Sequence, residues 1–196
     1  MHDNHVKLPL AAALLALTLL GVSAYLLTQS GSSSRRDVHL SDGTRFVFRG
    51  DSHVVVDPAY PNPRRVQVDG DVFMSIPTAS SPMTVTSRLL RLDIPGAAEL
   101  RLSAHSKEAG EQVQVLCGQV TAHKNYASSH AEPDALTANT MSMVNQSIDL
   151  MEKEVFSPGE LTNWLTDLGI STAWVRSQCD AMTNAMPSGT SPQPQR

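Results

Sequence analysis

The sequence predicts a mainly β fold, a sandwich, barrel or short β-solenoid, with a short helical appendage behind it and one membrane-spanning helix ahead of it. Three observations predict this. Alternating apolar runs recur between Asp37 and Leu150, separated by Asp-Gly, Asp-Pro and Pro-Gly turn signals; a spacing of roughly 8–12 residues is that of an all-β domain. Ser157-Pro158-Gly159-Glu160 opens a segment with apolar residues at helical spacing. Leu8 to Leu27 carries no charge and as a helix is about 30 Å long, roughly the hydrocarbon thickness of a bilayer.

Residues 1–7 form a short tip and residues 8–27 the apolar span. The span reads as an anchor that stays, or as a secretory signal with Val22-Ser23-Ala24 at its cleavage site. Its apolar run exceeds the usual signal core, so length favours the uncleaved anchor. Either way the rest of the chain is expected to be exported to the far side of the membrane. Residues 28–36 form a Gly/Ser-containing flexible linker.

Residues 37–150 are expected as the β domain. Asp42-Gly43 between Val38/Leu40 and Phe46/Phe48 is a hairpin signal, because a tight turn needs positive φ and Gly supplies it. Val54-Val55-Val56 is a strand stopped at Asp57-Pro58. Val66 and Val68 lie on one face, Asp69-Gly70 is expected to turn the chain, and Val72, Met74 and Ile76 resume the alternation. Met83 with Val85 and Leu90 with Leu92 and Ile94 follow; Leu100 and Leu102 continue past Pro95-Gly96. Val113, Val115, Gly118 and Val120 read as a strand, a turn or bulge, and a return.

Residues 157–186 are expected as two helices. Ser157 caps the first, Leu161, Trp164, Leu165 and Leu168 make its stripe, and Gly169 stops it. The second runs from Thr172, with Val175, Cys179, Met182 and Met186 on one face. Such a pair reads as a local cap over an open end of the β domain. Residues 187–196 are a Pro/Ser/Gln tail of disordered composition.

The composition excludes several functions. With a net charge of −4 and no basic patch, nucleic-acid binding is not expected. His39, His53, His105, His123 and His130 lack metal-ligand spacing and read as surface residues, so no metal is expected. No phosphate loop, nucleophile elbow or C-x-x-C occurs, which predicts neither catalytic residues nor a cofactor. Asp69 and Asp71 flank Gly70 as turn chemistry rather than as paired catalytic carboxylates. Arg64-Arg65 reads as a solvated edge or, second, a partner contact. Cys117 and Cys179 form one disulfide or remain two buried thiols.

Asp42-Gly43-Thr44, then Ser52, then Arg65-Val66-x-Val68-x-Gly70-Asp71-Val72-Phe73-x-x-Ile76 resembles the core of the FecR domain. Pro82-Met83-Thr84-Val85-Thr86 and Leu116-Cys117-Gly118-Gln119-Val120 follow in the family's order, so the resemblance covers Asp37 to Asn145. Asp71 replaces the family's Glu, and Pro95 to Leu102 lacks its Thr and Phe. On this resemblance the helical pair of residues 157–186 reads, alternatively, as a shortened counterpart of a small α/β domain. The resemblance implies a FecR-like single-pass regulator of the inner membrane. Its periplasmic domain would receive a signal from the signalling domain of a TonB-dependent outer-membrane receptor and relay it toward an extracytoplasmic-function sigma factor. The family holds its sigma factor with a longer cytoplasmic segment than residues 1–7, so direct sigma-factor contact is not expected. The alternative is an envelope structural or polymer-binding module with no transcriptional role.

Overall fold

A computed structural model of the chain describes residues 34–78 and 81–185. The expected tip, the membrane span, most of the linker and the C-terminal tail lie outside the described residues. Among the described residues no helix is long and apolar enough to cross a membrane. The fold is mainly β, as expected, in two sheets that share one long strand.

The first sheet begins with the hairpin of β1 (Arg36–His39) and β2 (Arg45–Phe48). Gly43 sits at φ +86° in its turn, and the Leu40 N–H donates to the Thr44 carbonyl at 2.8 Å. β3 (His53–Val56) and β4 (Arg64–Ile76) follow, and β4 is the pivot of the molecule. Its first half pairs with β3 and, in parallel, with β5 (Met83–Thr86); its second half pairs with β2 and β7 (Ala98–Ala104). The remaining strands are β6 (Leu90–Ile94), β8 (Gly110–Gly118), β9 (Val120–Lys124), β10 (Asp134–Leu136), β11 (Thr140–Asn145) and β12 (Leu150–Val155). The first sheet thus runs β1-β2-β4-β7-β8-β11-β12 and the second β3-β4-β5-β6-β9-β10. Side chains bridge the seam between their far edges: Lys153 Nζ donates to the Ala135 carbonyl and Ser142 to Asp134.

Two expected turns are crossings instead. Asp69-Gly70 does not turn the chain; β4 continues through it, with every second residue buried from Arg64 to Val72. Gly70 takes φ +117°, which bends the strand from one sheet into the other without ending it. Gly118, at φ +92°, does the same between β8 and β9. There is no return: β8 pairs with β7 and β11, while β9 pairs with β6 and β10. A glycine at positive φ serves a turn or a bend, and only pairing partners distinguish them. The strand succession also extends past Leu150, because β12 continues to Val155.

Between the sheets lies the main core, built from inward residues such as Phe46, Met74, Leu92, Leu100, Leu102 and Val113, all with no exposed surface. Full burial of such side chains stabilises by about 1.5–3 kcal/mol each. Phe46, Val47 and Phe48 are all buried, so β2 is covered on both faces. Val47, Phe73 and Leu116 face outward from the first sheet and carry a second core.

That second core is made by the C-terminal segment. A 3-10 turn (Pro158–Leu161) leads into α1 (Thr162–Asp167), Gly169 at φ +66° ends it, and α2 (Thr172–Ala185) follows. The Ser157 N–H donates to Glu160 Oε1 at 3.3 Å, the expected capping contact. Leu161, Leu165, Leu168, Ile170 and Val175 pack on the outer face of the first sheet. The pair therefore covers a sheet face and caps no open end.

Candidate partner-binding surface

The motif residues are the framework behind any surface. Asp42, in the hairpin turn, accepts from Tyr60 Oη at 2.5 Å, Arg64 Nε at 2.8 Å, and the Thr44 N–H and Oγ1 at 3.0 Å each. Arg64 is 3% exposed and also donates to the Ser81 carbonyl at 2.8 Å. Burial acts to raise the Asp42 carboxyl, but the bonds from Tyr60, Thr44 and Arg64 outweigh it and hold it below the usual range. Arg64 is therefore neither an edge nor a partner contact; it ties the β1–β2 turn to β4. Arg65 is exposed on the opposite face and takes no part in this node.

Ser52 and Gly70 form a second node. Ser52 Oγ accepts the Asp71 N–H at 3.0 Å, and a Cβ on Gly70 would lie 2.4 Å from that oxygen. Only glycine leaves Ser52 room to hold the crossing. Gly118 is equally constrained, since a Cβ there would meet the Ala97 carbonyl at 2.3 Å. Phe73 packs edge-on against Trp174, ring centroids 6.4 Å apart.

Asp71 pins the helices to the sheet. Its carboxylate accepts Arg101 Nε and Nη2, both at 2.8 Å, and Trp164 Nε1 at 2.8 Å; the Arg101 guanidinium lies 4.3 Å from the Trp164 ring centroid. Asp69 takes the Ser106 N–H at 2.9 Å. Neither is turn chemistry. Cys117 on β8 is disulfide-bonded to Cys179 on α2, a second pin. Reading the sequence missed Tyr60 and Arg101, whose partners lie 18 and 30 residues away. No local spacing signals such contacts.

The exposed surface offers two places to a partner. The outer face of the second sheet carries Arg65, Gln67, Thr84, Thr86, Arg91 and Asp93 around a shallow groove of about 560 Å³. Asp93 there accepts from Thr84 Oγ1 at 3.3 Å, and His123 Nε2 lies 3.0 Å from its carboxylate. The strands at the edges are the other place: β1, β3, β10 and β12 each pair on one side, and of these β3 and β12 expose large apolar side chains, Val55 at 60% and Val155 at 80%. Among the described residues no group of three or more His, Cys, Asp or Glu side chains is placed to hold a metal ion.

No family model and no curated protein matches the sequence. The fold is similar to two crystal structures of a candidate anti-sigma factor from Parabacteroides distasonis, both at a TM-score of 0.60. Identity is 20% and 19%, and each match covers 68% of this chain and 61% of the other. The chain thus spans about three fifths of the length of the structures it matches.

Proposed function

We propose that this protein is a membrane-anchored, non-enzymatic regulator of FecR type whose periplasmic β domain binds protein partners in a signal relay. The observation that carries the reading is the shared fold with the Parabacteroides distasonis structures, taken with the ordered motif blocks from Asp42 to Val120. The sigma-factor connection, the TonB-dependent receptor and the inner-membrane location belong to this proposal. The exposed edges of β3 and β12 suit it, because an edge strand recruits a partner segment through main-chain hydrogen bonds. Lys153 points inward on β12, which blunts that edge and favours β3 as the recipient.

Co-purification of the full chain with the periplasmic signalling domain of a TonB-dependent receptor tests the proposal. A complex weakened by Val56→Pro, which removes a donor facing the free edge of β3, is the expected result. No association with any such domain from the same cell would overturn it. A second reading, an envelope polymer-binding module without a transcriptional role, is favoured by the hydrogen-bonding side chains around the groove on the second sheet. It predicts co-sedimentation with peptidoglycan that Arg65→Ala and Arg91→Ala weaken.

A further inference from the structure

Glu99 is a carboxyl on a surface that ought to be wet. It sits on β7 with its side chain on the outer face of the first sheet, yet it has no exposed area. One cross-strand row runs through it: Arg45 on β2, Ser75 on β4, Glu99 on β7 and Cys117 on β8. The cover is α2. Its Trp174 meets Phe73 and the Arg45 guanidinium at one end of the row, the latter 5.3 Å from a ring centroid. Its Cys179 is bonded to Cys117 at the other end. Glu99 therefore lies beneath the helix between its two attachment points.

The pairing there is incomplete. Ser75 Oγ donates to Glu99 Oε1 at 2.7 Å, while Oε2 is buried without a hydrogen-bond partner. An ionised carboxylate with one bare oxygen is costly to bury, whereas a protonated one is tolerated. We propose that Glu99 is a proton-operated latch for α2: the helix seats fully on the sheet when this carboxyl is protonated and lifts when it ionises.

The surroundings agree. Burial is the main cause that pushes the Glu99 carboxyl up to about 8, against smaller opposing effects from the Ser75 hydrogen bond and the Arg45 charge. Arg45 is the cation nearest in the row, and it is committed to Asp37 on β1, donating from Nε at 2.8 Å and from Nη2 at 2.6 Å. Arg35 and His39 also converge on Asp37. Arg101, the next outward residue along β7, is committed to Asp71 on β4. On α2 itself, Arg176 and Asp180 are exposed, and on β8 Cys117 is held in the disulfide. Lifting α2 would rehydrate Glu99 and return it to the ordinary carboxylate range. Seating is then complete at low pH and is lost as pH rises toward the seated-state value. The latch stands independently of the partner proposed above.

Hydrogen exchange of α2 amides in the full chain, corrected for intrinsic exchange and read from about pH 5 to pH 9, tests it. Protection should fall close to tenfold per pH unit up to about pH 8 and level off above. Glu99→Gln should make protection flat over that range and at least as high as in the parent at neutral pH. Ser75→Ala, which removes a bond favouring the ionised form, should move the levelling point to higher pH. Flat protection in the parent, or a parent-like slope in Glu99→Gln, would overturn the latch.

Discussion

Arg64 and Arg65 are adjacent in sequence and opposite in fate. A strand points successive side chains to opposite faces, so one guanidinium enters the Asp42 node and the other meets solvent. Replacing Arg64 by Leu strands a partly buried Asp42 carboxylate and should cost about 3–5 kcal/mol in urea denaturation. Arg65→Ala should stay within about 0.5 kcal/mol. The Asp42 carboxyl, held low, contributes stability that is present above the ordinary carboxylate range and lost as pH falls through its own lowered value. The Arg64→Leu chain should therefore lose less stability on acidification than the parent. Gly70→Ala should destabilise by more than about 2 kcal/mol, since it adds strain at φ +117° to a clash with Ser52. Ser52→Ala should not rescue it, because the Ser52 Cβ and Cα would also lie 2.5 and 2.6 Å away. These roles were half legible. Asp42, Gly43, Ser52 and Gly70 stand out as motif residues, but the motif arginine was read at Arg65, whereas the structural work falls to its neighbour Arg64.

At the scale of elements, alternation located strands well wherever one face is apolar. It placed β3, β5, β6 and β7, and capping chemistry placed the start of the first helix at Ser157. It misread β4 and the β8–β9 passage, since Asp-Gly and Cys-Gly look alike in a hairpin and in a strand that bends between sheets. The polar residues of β12, Glu152, Lys153 and Glu154, hide a strand that has one paired side and little buried surface. The helical pair was legible as helices but not as the cover of a sheet face. That position depends on Phe73, Val47 and Leu116 pointing outward, which a single strand's pattern does not reveal. Two pins hold the pair, so their losses should differ in kind. Cys117→Ala with Cys179→Ala opens a loop of 62 residues and should cost about 2–4 kcal/mol. Asp71→Ala should cost about 1–3 kcal/mol and red-shift Trp164 emission while leaving the disulfide intact.

For the whole molecule, the described part is one unit, residues 34–185, in which a crossed pair of sheets carries its own helices on one outer face. The other sheet's outer face and the β3 edge are left for contact. This division suits the proposed binding role, whose place is outside the cytoplasm, tethered by residues 8–27. A disulfide between β8 and α2 is consistent with an oxidising compartment. The signal, the receptor and the sigma factor were not legible, because partner identity resides in the other protein as much as in this one.

Location tests the account most directly, since every proposed partner depends on it. A reporter enzyme active only outside the cytoplasm, fused after Met186 of the full chain, should be active and fractionate with the membrane, with Met1 retained on N-terminal sequencing. An inactive reporter in the soluble cytoplasmic fraction would contradict the account.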